Sequence, residues 1–141
     1  MKRGEVVAGS KTALVTGASK GIGRCYALQL AELGYNIVMV SLAEASLVKT
    51  AQEVAEVNSK VWVRHYAKDL ATITAAEELF AWTEQEGIKV DVLINNAGMF
   101  SFCDILNTPT ERIERTILLH DMTTTKMCRI YADDMAKRGG G

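Results

Sequence analysis

Proline is nearly absent: the chain of 141 residues has one, Pro109, and no low-complexity linker interrupts it. An unbroken sequence of this length reads as one domain, residues 1–141, able to bury a single core. Long apolar runs are missing too. Nothing approaches the ~18–20 consecutive apolar residues of a membrane-spanning helix. The basic start Met1-Lys2-Arg3 is followed by Gly4-Glu5, not by the apolar segment of a secretion signal. Cysteine is sparse: Cys25, Cys103 and Cys128 are odd in number and far apart, and with two histidines they offer no ligand spacing. That pattern predicts free thiols, no metal site and a reducing, cytoplasmic setting. Charge of one sign is lacking as well. The formal net charge is −1 and no Lys/Arg run exceeds two residues, so neither nucleic acid nor a membrane surface is an expected partner.

What is present is alternation: short apolar runs separated by longer amphipathic stretches. Thr12 to Thr16 and Asn36 to Ser41 read as buried strands, and Val61 to Tyr66 and Val90 to Asn95 as a third and a fourth strand. Between the first two, Ile22 to Leu33 has helical spacing and stops at Gly34, suited to the residue just past a helix. Ser41 with Glu44, and Thr74 with Glu77, have the three-residue offset of a capping box, opening helices to about Asn58 and Gly87. Thr108-Pro109-Thr110-Glu111 marks a third such start, with Thr108 as cap and a helix reaching toward Lys137. Strands alternating with helices in this way predict an α/β parallel sheet covered on both faces.

The first strand leads into Thr16-Gly-Ala-Ser-Lys-Gly-Ile-Gly23, which opens the first helix. A pyrophosphate needs a helix N-terminus and backbone N–H groups unobstructed by side chains. Gly17 would permit the tight turn, Gly21 the approach of the phosphate, and Gly23 close packing of helix on strand. A plain glycine-rich turn is the alternative; the strand before and helix after favour the dinucleotide reading. A second glycine segment, Gly4 to Thr12, nearly spells a nucleotide-triphosphate loop, but one residue intrudes between Gly9 and Lys11 and no strand precedes it.

Thr16-Gly17-x-x-x-Gly21-Ile22-Gly23 together with Asn95-Asn96-Ala97-Gly98 closing the fourth strand resembles the short-chain dehydrogenase/reductase family. Asp69-Leu70, after the third strand, matches that family's adenine-contacting pair, and the likeness runs from about Lys11 to Gly140. It implies a Rossmann-like doubly wound sheet, here truncated after about four strands, that binds NADP or NAD. By resemblance, the Gly17–Gly23 loop, including Ser19, Lys20 and Ile22, would hold the pyrophosphate and adenosine ribose. Asp69 would accept from the adenine amino group beside the Leu70 backbone, although by its residue type alone it reads equally as a turn or cap. Asn95 and Asn96, with Ala97 and Gly98, would stabilise the fourth strand and bring backbone near the ribose.

NAD enzymes of this architecture place an acid about 20 residues past the glycine loop, whereas this chain has Ser41-Leu42 there. Without a carboxylate to repel a 2′-phosphate, NADP is favoured, with Ser41, Lys20 and Arg24 as candidate contacts. Lys20 and Arg24 as solvated cations, and Ser41 as a simple cap, are the plainer alternatives.

The family's chemistry uses a Ser and a Tyr-x-x-x-Lys pair, in which Tyr is the general acid/base. Four residues after Tyr26, Tyr35, Tyr66 and Tyr131 stand Leu30, Met39, Leu70 and Met135, so no such pair is present. The chain is therefore expected to be the cofactor-binding front half of an oxidoreductase acting on a carbonyl or alcohol, inactive alone. The rival is a nucleotide-binding sensor or assembly module. His120 falls near the family's relay Asn and could titrate there or be structural. Cys25 reads as small-hydrophobe packing, and Trp62, Phe80 and Trp82 as core or interface. With no later strand, the fourth strand is an apolar edge, which predicts a homo-oligomer.

Overall fold

The computed structural model describes residues 7–100 and 102–141. Four strands, β1 (Thr12–Thr16), β2 (Asn36–Ser41), β3 (Val63–Ala67) and β4 (Val92–Ile94), form one parallel sheet in the order β3-β2-β1-β4. Helix α1 (Gly21–Glu32) follows β1, α2 (Glu44–Val57) follows β2, and α3 (Ala75–Gln85) follows β3. Beyond β4 come a 3₁₀ turn (Ile105–Asn107), α4 (Thr110–Ile117), a π-helical segment (Leu118–Thr123) and α5 (Thr124–Lys137). The architecture is the α/β parallel sheet expected from the alternation, in the Rossmann-like doubly wound arrangement that the resemblance implied.

Period-two side-chain alternation in β1 and β2 divides the core between the two faces. Leu14, Val38 and Val40 point one way, into a layer with Leu79 of α3 and Met127 and Tyr131 of α5. Ala13, Val15, Ile37 and Met39 point the other way, against Ala27 and Ala31 of α1 and Leu47 and Val54 of α2. Burying each of the larger aliphatic side chains contributes roughly 1.5–3 kcal/mol. Tyr131 packs edge-on to Phe80 with ring centroids 5.3 Å apart, and Trp82 stacks on Tyr66 at 4.6 Å. Trp62 is instead half out of the fold, with the Arg64 guanidinium 5.9 Å from its ring centroid.

Several local expectations are corrected. The third strand is shifted to Val63–Ala67 and lies at a sheet edge, with Arg64 and His65 exposed. The fourth is only three residues long, because β1 alone pairs with it. Ser41 caps no helix: it ends β2, and α2 starts after Ala43. Thr74 holds the cap position of α3 but bonds the Glu78 carboxylate, while Glu77 pairs with Lys126 of α5. Thr108 closes the preceding 3₁₀ turn, its hydroxyl donating to the Asp104 carbonyl at 2.8 Å, so α4 begins one residue later, behind Pro109. The single long helix expected after Pro109 is interrupted by the π turn. Cys25 is exposed and does not pack into the core. Of the near-miss phosphate loop, Gly4 lies outside the described residues, as do Met1-Lys2-Arg3; Gly9 simply turns the chain into β1, its N–H donating to the Gly34 carbonyl. Among the described residues no helix is long and apolar enough to cross a membrane.

Candidate functional site

In the order β3-β2-β1-β4 the chain reverses direction across the sheet beside β1. Ligands of open parallel sheets bind at this switch point, beyond the carboxyl ends of the strands. A cleft of about 560 Å³ lies there. Its walls come from the residues following each strand: Gly17 to Ile22 after β1, Ser41 to Ala43 after β2, Lys68 to Ala71 after β3, and Asn96 to Met99 after β4.

The glycine loop is built for backbone approach. Gly21, at the first turn of α1, has φ +56°, and nothing stands within 4 Å of where a Cβ would project. The cap residue Lys20 makes no side-chain hydrogen bond to the helix and α1 has no acid in its first turn, so the dipole's positive end faces the cleft. Gly23 works from behind: a Cβ there would lie 2.3 Å from the Gly17 carbonyl oxygen and 2.5 Å from Asn96 Nδ2.

Asn96 ties β4 to this loop. Its Nδ2 donates to the Thr16 carbonyl at 2.9 Å, and its N–H and that of Ala97 both donate to Thr16 Oγ1 at 3.0 Å. Thr16, which heads the glycine motif but was given no role from the sequence, is therefore the hub joining the two motifs. Asn95 points elsewhere, its amide donating to Cys128 Sγ on α5 at 3.2 Å, and it does not line the cleft.

Of the candidate residues, Gly17, Ser19, Lys20, Gly21, Ile22, Ser41, Asp69, Leu70, Asn96, Ala97 and Gly98 converge on the cleft, while Gly23 and Asn95 stand behind it. Ser19 and Ser41 share a hydroxyl–hydroxyl hydrogen bond of 2.9 Å, and buried Thr50 donates to the Ser19 carbonyl at 2.9 Å. Arg24 does not line the cleft, and its Nε is held by Glu53 of α2 at 2.8 Å. Lys20 is exposed at the rim and has no ion-pair partner among the described residues.

Asp69 receives the Ala71 N–H at 2.9 Å and Arg115 Nη2 on both carboxylate oxygens, at 2.9 and 3.2 Å. Burial pushes its pKa up, but the Ala71 hydrogen bond and the Arg115 guanidinium outweigh burial and hold it below the ordinary 3.8. Arg115, Leu42, Ser46, Lys68, Met99 and Leu119 are cleft residues the sequence did not reveal. Leu42, Lys68 and Met99 adjoin motif residues at strand ends, whereas Ser46 and Arg115 reach the cleft through the docking of α2 and α4, which no short motif encodes. His120, in the π turn, accepts the Met99 N–H on Nε2 at 3.1 Å and packs on Gly98, so it braces the end of β4.

A four-stranded parallel sheet with a glycine-lined cleft at its switch point defines a Rossmann-fold protein. The comparisons narrow the class. The short chain dehydrogenase family profile matches residues 11–141, and the chain belongs to that family. A very-long-chain 3-oxooacyl-coA reductase of Caenorhabditis elegans is 40% identical over 111 residues, covering 77% of this chain and 34% of that protein. L-sorbose reductase of Gluconobacter frateurii, solved with NADPH and L-sorbose, superposes with a TM-score of 0.86 at 29% identity, over 97% of this chain and 52% of that one. An NAD⁺-bound xylitol dehydrogenase gives a TM-score of 0.79 at 27% identity, over 94% and 51% of the two chains. The chain thus spans about a third of the curated relative and about half of each solved neighbour.

Proposed function

We propose that this chain binds a nicotinamide adenine dinucleotide, with NADP favoured over NAD, and forms the cofactor-holding part of an oxidoreductase for a carbonyl or alcohol substrate. The observation that carries the reading is Gly21: a positive φ and open space at the N-terminus of α1, in a cleft lined from the ends of all four strands. A diphosphate fits such a cradle, because N–H groups and the helix dipole face it and no side chain intervenes. The bound nicotinamide supplies or takes up a hydride.

This chain's own residues bind and orient. The Gly17–Gly21 backbone receives the pyrophosphate, Asp69 accepts from the adenine amine, and Asn96 holds β4 against the loop through Thr16. Lys20 and the Ser19–Ser41 pair favour the 2′-phosphate of NADP, since no carboxylate lines that wall beyond β2. The solved relatives include both an NADPH complex and an NAD⁺ complex, so the family alone does not select. Reduction of a ketone is the direction the reductase relatives' names support for the whole protein.

None of the four tyrosines is followed four residues later by lysine. Tyr131 is buried against Thr83, and burial pushes its pKa up to about 12, far from a useful acid/base value. We therefore expect binding without turnover. Titrating the chain with NADPH and NADH, followed by nicotinamide fluorescence, tests the reading. NADPH should bind about tenfold tighter than NADH, and Lys20→Glu should abolish most of that preference. Absence of binding by either dinucleotide would overturn it.

A further inference from the structure

One wall of the cleft is joined to another by a contact that neither sequence motif contains. Arg115, on the last turn of α4, reaches the residue that follows β3 and gives Nη2 to both oxygens of Asp69. The two side chains are each about one-third exposed (31% and 34%), and both line the cleft. They are partly desolvated by the protein yet open to a ligand.

Their hydrogen-bonding characters are opposite. Asp69, ionised, can only accept, and Oδ1 is already committed to Ala71 and Arg115 whereas Oδ2 takes Arg115 alone. Arg115 can only donate, and its Nε and Nη1 make no hydrogen bond among the described residues. The cleft wall therefore presents an acceptor directly beside a donor, fixed relative to each other by the ion pair. The other cation near Asp69 is Lys68, and its Nζ is engaged by Glu78, so Arg115 is the donor that completes this edge.

A purine with a 6-amino group has the matching edge: an N–H donor beside a ring-nitrogen acceptor. A 6-oxopurine places an acceptor where the amine stood, against the Asp69 carboxylate. We propose that Arg115 and Asp69 act as a pair that reads the base edge of the dinucleotide, making Arg115 a specificity-determining residue for adenine over hypoxanthine. The proposal rests on the reading that the cleft holds an adenine dinucleotide. It assigns to α4 a role in base selection beyond that of the Asp69 carboxylate alone.

A guanidinium that merely staples α4 to the β3–α3 connection would affect stability and leave base preference unchanged, which separates the two roles. Calorimetric titration of the 141-residue chain with NADPH and with its hypoxanthine analogue, in wild type and variants, reads the difference. Wild type should prefer the adenine dinucleotide by about tenfold or more. Arg115→Met, which keeps length but removes the donors, should weaken the adenine form and bring the preference to within about twofold. Arg115→Lys, retaining a charged donor, should recover part of it. Asp69→Asn, whose amide can donate to a 6-oxo group, should shift the ratio toward the hypoxanthine form and checks the Asp69 half of the pair, while Arg115→Gln, which removes the charged fork but keeps a polar side chain, keeps the test decisive if Arg115→Met does not fold. An unchanged ratio in Arg115→Met, or in Arg115→Gln where the former is unfolded, overturns the proposal while leaving the dinucleotide reading intact. Failure of wild type to bind either dinucleotide overturns both.

Discussion

At the scale of single residues, the strictest requirements come from close approach. A Cβ on Gly23 would sit 2.3 Å from the Gly17 carbonyl oxygen, and that neighbour is backbone that cannot swing aside. Gly23→Ala is expected to cost roughly 1–3 kcal/mol in denaturant unfolding and to weaken dinucleotide binding, because the loop must shift. Tyr131 makes a contrasting demand. Its hydroxyl meets Thr83 Oγ1 at 3.3 Å inside the α3–α5 layer, so Tyr131→Phe should lose about 1 kcal/mol while Tyr131→Ala loses roughly 3–5 kcal/mol. Asp69 gives a pH signature. Its folded pKa lies below the ordinary 3.8, so its contribution to stability is present above that value and is lost as pH falls through the folded pKa. The stability difference between wild type and Arg115→Met should therefore be full near pH ~6 and shrink toward pH ~3. At one-third exposure it should stay below about 1 kcal/mol.

Elements carry the next level of constraint. The π turn at Leu118–Thr123 separates α4, which serves the cleft through Arg115, from α5, which serves the core through Met127 and Tyr131. Thr124 Oγ1 donates to the Leu119 carbonyl at 3.1 Å, five residues back, matching the wider turn. Thr123 Oγ1 donates to the Leu70 carbonyl at 2.8 Å in a buried contact, anchoring the turn to the cleft floor. Thr123→Val preserves shape but strands that carbonyl; thermal unfolding should show a loss of about 1–3 kcal/mol. Most strand and helix assignments were legible because their signals are local: apolar runs, helical spacing, and Gly34 and Gly87 past helix ends with positive φ. The cap assignments failed at Ser41 and Thr108 for a shared reason. Each hydroxyl found a partner outside the helix it was expected to cap, Ser19 in one case and the Asp104 carbonyl in the other.

For the whole molecule, the sheet ends at β4, where Val92, Leu93 and Ile94 are only partly covered. Phe102, Ile105 and Leu106, beyond β4, are largely exposed as well. An apolar sheet edge invites pairing with another chain. We expect the isolated chain to form dimers or larger species through the β4 side in sedimentation velocity. A charged replacement at Leu93, such as Leu93→Lys, should shift it toward monomer; a wild type that stays monomeric at high concentration would contradict the expectation.

The sequence by itself determined the fold class and the location of the glycine loop at the strand–helix junction. Both follow from short-range patterns: alternation of apolar runs, and glycines at a strand–helix junction where a side chain would strain the backbone at Gly21 or meet a neighbouring carbonyl at Gly23. Asp69 and the Asn96–Gly98 segment were legible only through the family resemblance, and the structure places both at strand ends facing the cleft. Tertiary structure alone decided which of these residues face the cleft. It turned Asn95 toward Cys128, drew Arg24 away to Glu53, exposed Cys25, and brought Arg115 across 46 positions to Asp69. Side-chain partners of this kind depend on the docking of helices distant in sequence, and a charged residue pairs with whichever opposite charge that docking places within a few ångströms.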